Sequence, residues 1–230
     1  MARIGAVIPA AGQGTRMGAA APKQYLELGG RPIVGYAVKT LADCSIIDNL
    51  VLVCSPGDEA YCRTIITEQL GIKKEIEIVA GGNERQESVY NGLLALPADT
   101  DVAVIHDGAR PLLKPPELSL VVDAAIKYGA ATLATPVKDT VKLADGNGFV
   151  TSTLNREFLW LIQTPQAFNF SLIMKAHQQA ALTGFKGNDD ASLVEALGAP
   201  VRIVTGSYAN IKITTREDLL LAAALLRSEK

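Results

Sequence analysis

The run Ile4-Gly5-Ala6-Val7-Ile8 passes directly into Pro9-Ala10-Ala11-Gly12-Gln13-Gly14-Thr15-Arg16-Met17-Gly18, with Pro22-Lys23-Gln24 just beyond. An unbroken apolar run of this length predicts a buried strand of the kind that parallel sheets contain. It delivers the chain into a loop of Gly and Ala, whose small side chains let backbone N–H groups approach an anion. Arg16 and Lys23 hang two cations on that cradle. The spacing fits neither Gly-x-x-x-x-Gly-Lys-Ser/Thr nor Gly-x-Gly-x-x-Gly. A Gly-rich turn after a strand also serves as a tight strand-to-helix connection, so it is the two cations that point to phosphate.

Further along, Leu50–Cys54, Ile76–Val79, Val102–Ile105, Ala131–Pro136 and Val201–Val204 read as strands, and the stretches between them have helical periodicity. Leu118, Val121, Val122, Ala125 and Ile126 recur at helical spacing, with Gly129 as the stop. Pro32 opens a helix through Leu41, and Thr214 with Glu217 forms a capping box for the last helix. Such alternation predicts an α/β fold, a mostly parallel sheet with helices on both faces, and ligands in such sheets bind beyond the carboxyl ends of the strands.

Residues Val137 to Arg156 break the rhythm. Thr140 to Leu143 and Phe149 to Thr151 read as two strands joined by Asp145-Gly146-Asn147-Gly148. An isolated hairpin is marginal in water, so the expectation is an arm, 137–158, that pairs with a second subunit. A flap over the site is the alternative. The parse is one domain over residues 1–230 with that arm as a subelement.

The net charge of −2 argues against binding long nucleic acid, which needs a basic surface. With no apolar run long enough to span a bilayer and no signal-peptide pattern, the expectation is a cytoplasmic protein without membrane contact. Cys44, Cys54 and Cys62 are odd in number and lack Cys-x-x-Cys spacing, so they read as buried reduced thiols.

The strand Val102–Ile105 ends in His106-Asp107-Gly108-Ala109-Arg110-Pro111. Asp107 at a sheet's ligand edge suits Mg2+ or a ribose hydroxyl, or else serves as a turn residue. Arg110 offers a fork suited to phosphate. His106 reads as structural and His177 as surface-facing. After Ile76–Val79 comes Gly81-Gly82-Asn83-Glu84-Arg85-Gln86-Glu87-Ser88; glycines admit a planar base, and Asn83 and Ser88 suit its hydrogen-bonding edge, though a plain polar helix start reads equally well. Lys138-Asp139-Thr140, Leu154-Asn155-Arg156, Gln163-Thr164-Pro165-Gln166 and Asn210-Ile211-Lys212-Ile213-Thr214 add cations and hydroxyls.

In this order the strings PAAGQGTRMG…PKQY, GGNERQESV, HDGARP, KDTVK, TPQAF, DDAS and NIKIT, spanning about residues 3 to 218, resemble the 2-C-methyl-D-erythritol 4-phosphate cytidylyltransferase family of the non-mevalonate isoprenoid pathway. The resemblance implies a Rossmann-like fold, a homodimer joined through the arm, and transfer of CMP from CTP, with Mg2+, to a sugar-alcohol phosphate. It implies Ala10, Ala11 and Gly12 against the nucleotide, Arg16 and Lys23 as catalytic groups on its phosphates, and Lys212 as a third catalytic group. By the same likeness, Gly82, Asn83 and Ser88 read cytosine, and Asp107 lies near ribose and metal. Arg110, Thr140, Arg156, Thr164 and Lys212 surround the acceptor, Arg156 and Thr164 reaching in from the partner's arm, and Lys212 also touches CTP. Asn83 stands where the family commonly has Asp, and Gly108 where Ala is usual. A ribitol 5-phosphate cytidylyltransferase shares the nucleotide loops and is the nearest alternative; a nucleotide-binding regulator without turnover is the remoter one.

Overall fold

The computed structural model describes residues 2–12 and 22–228. In chain order the elements are β1 (Ile4–Pro9), β2 (Glu27–Leu28), β3 (Arg31–Pro32), α1 (Ile33–Asp43), β4 (Asn49–Cys54), α2 (Glu59–Thr64), β5 (Ile76–Ala80), α3 (Arg85–Leu94), β6 (Val102–Ile105), α4 (Pro115–Tyr128), β7 (Ala130–Pro136), β8 (Lys142–Ala144), β9 (Val150–Thr153), β10 (Trp160–Asn169), α5 (Phe170–Thr183), α6 (Asp190–Ala196), β11 (Arg202–Thr205) and α7 (Arg216–Ser228).

Seven strands form the main sheet in the order β11-β7-β10-β6-β1-β4-β5. All pairs are parallel except those of β10, which runs antiparallel to both β6 and β7. Side chains alternate across the pleat. Ala6, Ile8, Leu50, Leu52 and Val104 therefore face one core with α1 and α4, through Val34, Val38, Leu41, Leu118 and Val121. Val7, Val51, Val53, Ala103 and Ile105 face the other, with α3, α5 and α6, through Val89, Leu93, Ile173, Leu193 and Val194. Two cores on one sheet explain why β1 and β6 are apolar at every position. A third cluster, Leu28, Ile33, Leu112, Ile213 and Ala222, ties α7 to the β2–β3 hairpin.

The chain runs from β1 outward through β4 to β5, then returns to place β6 on the other side of β1. That reversal opens a crevice between the carboxyl ends of β1 and β6, the usual place for a ligand in such a sheet. Ala10–Gly12, the Gly81–Gly82 loop and His106–Arg110 all leave strands at this edge.

The hairpin of β8 and β9 forms its own two-stranded sheet, and every residue of both strands is exposed. Asp145 closes its turn by accepting from the N–H groups of Asn147 and Phe149, and Gly148 takes the left-handed φ of 85° that the turn requires.

Three expectations need correction. β10 was not foreseen as a strand. The cap of α7 is Thr215 with Asp218, one residue beyond Thr214 and Glu217: Asp218 Oδ2 accepts from the Thr214 and Thr215 N–H groups, and Thr215 Oγ1 accepts from Asp218 N. His177 is not surface-facing but 2 % exposed, because α5 buries Ile173, Ala176, His177 and Ala180 along one stripe. All three cysteines are free, Cys54 and Cys62 buried and Cys44 half-buried.

Candidate active site

The loop after β1 is anchored at its start: Ala10 N donates to Val53 O at 2.7 Å, and Ser55 Oγ donates to Ala11 O at 3.2 Å. Ala10 is buried, Ala11 half-buried and Gly12 exposed. Arg16 and the rest of 13–21 lie outside the described residues. The neighbouring loop approaches so closely that a Cβ on Gly81 would stand 2.4 Å from Ala11 Cβ, and only glycine fits there. A Cβ on Gly108, where the family usually has Ala, would meet Ala10, Val34 and Ile8 at 3.2–3.3 Å. The neighbours have to give by a few tenths of an ångström to admit it.

Asp107 follows β6 directly and is 6 % exposed. Its Oδ1 accepts from Arg85 Nε at 3.0 Å, and its Oδ2 lies 2.6 Å from Lys212 Nζ. Burial by itself raises a carboxyl pKa; the charges of Arg85, Lys212 and Arg110 overcome this and hold Asp107 well below the ordinary range. Lys212 arrives on the Asn210–Thr214 segment, which is stitched to the Asp107 loop by Ile213 N to Ala109 O at 2.9 Å. Lys23 meets the same segment, its Nζ donating to Ile213 O at 3.1 Å. Lys23, Asp107 and Lys212 thus converge from positions far apart in the chain.

Thr164, expected to reach in from the partner's arm, instead sits buried in the cavity of its own chain, because β10 runs backwards beside β6 and carries it to the Asp107 loop. Its Oγ1 accepts from Asp107 N at 3.0 Å; because the Arg110 carbonyl can only accept, His106 Nε2–H donates to it at 3.1 Å, and Nδ1 of the neutral ring accepts from Thr164 Oγ1 at 3.1 Å. This assigns His106 one neutral tautomer, in keeping with its structural role. Arg110, 9 % exposed, spends Nη1 on Asn210 O at 2.7 Å and Nη2 on Ile162 O at 3.5 Å. Ser88 Oγ is likewise occupied locally, accepting from Gly82 N and donating to Glu84 O. Asn83 fixes its N–H on Glu87 Oε2 and is exposed.

Burial pushes the His106 pKa down to about 4. The folded protein then resists a proton that the unfolded chain takes up near pH 6.5. This contribution is complete above pH 6.5 and is lost as pH falls toward 4, by about 3 kcal/mol in all. The lowered carboxyls of Asp107 and Asp190 act in the same direction, but only below the ordinary carboxyl range. Urea unfolding at pH 7 and pH 4.5 is expected to show the loss, and His106→Gln, which retains an amide donor for Arg110 O, to flatten it. An equal slope in that variant would refute the assignment.

A cavity of about 390 Å³ opens here, lined by Arg85, Asp107, Arg110, Thr164, Lys212 and the β10 and α6 side chains around them. Thr140 and Arg156 are exposed on the arm and do not line it; Arg156 Nη1 donates to Lys138 O at 2.7 Å. A larger cleft of about 560 Å³ beside α1 shares no residue with it, and its cations are engaged, Arg31 over the Tyr36 ring and Lys39 on Asp43.

Among the described residues no group of three His, Cys, Asp or Glu side chains could hold a metal. Asp107 offers one carboxylate whose oxygens each retain a lone pair beyond the contacts above. That suits Mg2+, which takes one or two carboxylates and draws its other ligands from phosphates and water. No helix among the described residues is long and apolar enough to cross a membrane.

Arg85 and Asp190 were missed from sequence. Arg85 joins the two acids, with Nη2 on Asp190 Oδ2 at 2.7 Å, across a separation that no local pattern reveals.

The family model described as IspD, 2-C-methyl-D-erythritol 4-phosphate cytidylyltransferase, matches residues 4–228. The chain is 55% identical over 230 residues to the 2-C-methyl-D-erythritol 4-phosphate cytidylyltransferase of Pelotomaculum thermopropionicum, covering 100% of this chain and 97% of that one. It is 52% identical over 227 residues to the protein of the same name from Desulforamulus reducens, covering 99% and 97%. The crystal structure of 4-diphosphocytidyl-2C-methyl-D-erythritol synthase from Anaerococcus prevotii superposes with a TM-score of 0.88 at 35% identity, covering 98% of this chain and 96% of that one.

Proposed function

We propose that this chain, which belongs to the 2-C-methyl-D-erythritol 4-phosphate cytidylyltransferase family, transfers CMP from CTP to 2-C-methyl-D-erythritol 4-phosphate. The products are 4-diphosphocytidyl-2-C-methyl-D-erythritol and pyrophosphate. The observation that carries this reading is the convergence of Lys23, Asp107 and Lys212 at the crevice between β1 and β6.

An acceptor phosphate oxygen attacks the α-phosphorus of CTP in line, forming the new P–O bond as the bond to pyrophosphate breaks. A phosphate dianion needs no general base near neutral pH, in accord with a His106 whose ring nitrogens are both engaged. What the protein supplies is position and charge compensation for two polyanions. Lys23 faces the triphosphate, a role that the family resemblance also assigns to Arg16. Ala10, Ala11 and Gly12 offer backbone groups to the nucleotide, while Gly82, Asn83 and Ser88 frame the base. The ring of hydrogen bonds around Thr164 and His106 fixes Asp107 toward ribose and metal. Mg2+ held by Asp107 would neutralise triphosphate charge. Arg110, Thr140, Thr164, Arg156 and Lys212 serve the acceptor.

The arm supports a homodimer. Leu143, Phe149, Val150 and Phe158 are exposed on or beside it, Phe158 by 78%, an apolar surface that a second arm would cover. Arg156 then enters a partner's site. Three free thiols suit a reducing cytoplasm.

The test sets 2-C-methyl-D-erythritol 4-phosphate against ribitol 5-phosphate, each with all four nucleoside triphosphates, and reads pyrophosphate. Release is expected with CTP and the methylerythritol acceptor, at least about tenfold faster than any other pair, the scale of a few lost contacts. Preference for ribitol phosphate, or CTP binding without turnover, would overturn the reading.

A further inference from the structure

Lys212 has two calls on one ammonium group. Its Nζ stands 2.6 Å from Asp107 Oδ2, and the reaction proposed above also directs it to phosphate. A phosphate dianion draws it away from the carboxylate. Asp107, 8% exposed in its side chain, would then lose one of its two ion-pair partners, and an undercompensated buried charge is costly.

Arg85 is the partner that stays. Its Nε holds Asp107 Oδ1 at 3.0 Å while Nη2 holds Asp190 Oδ2 at 2.7 Å. One planar guanidinium thus has two of its donor positions fixed by two carboxylates, a geometry that lysine cannot reproduce. Asp190 is itself held firmly. It is 1% exposed, begins α6 directly after the Asp189 cap, and has His177 Nε2 at 3.6 Å on its other oxygen. His177 in turn stacks on Tyr90, ring centroids 5.6 Å apart. Tyr90 belongs to α3, the helix that Arg85 begins, so the brace closes on itself through α5 and α6. Asp190 does not line the cavity, whereas Arg85 and Asp107 do.

We infer that Arg85 is a positioning residue which, braced by Asp190, keeps the Asp107 carboxylate in place and compensated while Lys212 is committed to substrate phosphate. The inference rests on the reaction proposed above, and the experiment separates the two. Pyrophosphate release by the parent chain with CTP, Mg2+ and 2-C-methyl-D-erythritol 4-phosphate tests the reaction alone. Given that turnover, Arg85→Ala is expected to lower kcat by about 10–100-fold, the range for loss of a group that orients a ligand. KM for the acceptor should stay within about threefold, because Nε and Nη2 of Arg85 are held by Asp107 and Asp190 and its effect runs through Asp107, and added methylguanidinium should restore a measurable part of kcat. Asp190→Asn should also slow turnover, yet cost nothing further in the Arg85→Ala background, since Asp190 acts only through Arg85. Unchanged kcat in Arg85→Ala overturns the inference. So does a loss that methylguanidinium does not relieve, or an Asp190→Asn loss retained in full in the double variant. Should Arg85→Ala fail to fold, the isosteric Asp190→Asn decides alone: slowed turnover at unchanged acceptor KM supports the brace, and parent kcat refutes it.

Discussion

Replacing Lys23 with alanine is expected to lower turnover at saturating CTP and Mg2+ by about 10²–10³-fold, the loss usual for one preorganised electrostatic donor. The reason lies in how the ammonium is held. Lys23 begins a 3₁₀ turn, Lys23–Tyr25, closed by Tyr25 N to Pro22 O and Leu26 N to Lys23 O. Its Nζ is steadied 3.1 Å from Ile213 O, a group on the segment that carries Lys212. The charge is in place before substrate arrives, so its effect belongs to the transition state and should show in kcat more than in KM. The turn's backbone bonds do not depend on the ammonium group, so Lys23→Ala should melt within a few degrees of the parent. Steady-state pyrophosphate release with a parallel melting curve makes the measurement, and near-parental kcat in a folded variant would remove Lys23 from its assigned role.

What could be read from sequence follows from what kind of force places each group. β1, β4 and β6 are buried on both faces, and their continuous apolar runs say so without any knowledge of partners. β10 escapes that signal because its middle is Gln163-Thr164-Pro165-Gln166. Those side chains are buried by virtue of hydrogen bonds, Gln166 Nε2 to Thr132 and Asp189 and its Oε1 from Ala191 N, contacts that periodicity cannot register. The acid at Asp107 was legible, since a carboxylate directly after a buried strand marks the ligand edge. The cation that clamps it was not. Arg85 sits in a polar string beside Asn83 and Ser88, and its partners come from a loop 22 residues away and from the start of α6, 105 residues away. His177 was legible and was misread: Ile173, Ala176 and Ala180 put position 177 on the inner stripe of α5, where its ring stacks on Tyr90 and its Nε2 faces Asp190 Oδ1 at 3.6 Å.

The second large effect is a gain. Arg156→Ala and Lys23→Ala are each expected to leave only a small fraction of parental turnover as homodimers. If Arg156 enters the partner's site, a heterodimer of the two variants has one site with both residues intact and one site with neither. Random exchange makes half of the dimers heterodimers, so an equal mixture should recover about a quarter of parental activity. If Arg156 serves its own subunit, every site in the mixture lacks one residue and nothing is recovered. The structure bears on this choice through two facts: Arg156 does not line the cavity of its own chain, and the strands beside it are exposed along their whole length. Co-expression with two affinity tags isolates the heterodimer, in which one working site of two should give about half of parental kcat per dimer. A tagged heterodimer with no more activity than its parent variants would place Arg156 outside the shared site, and the arm would then hold the subunits together without completing their chemistry.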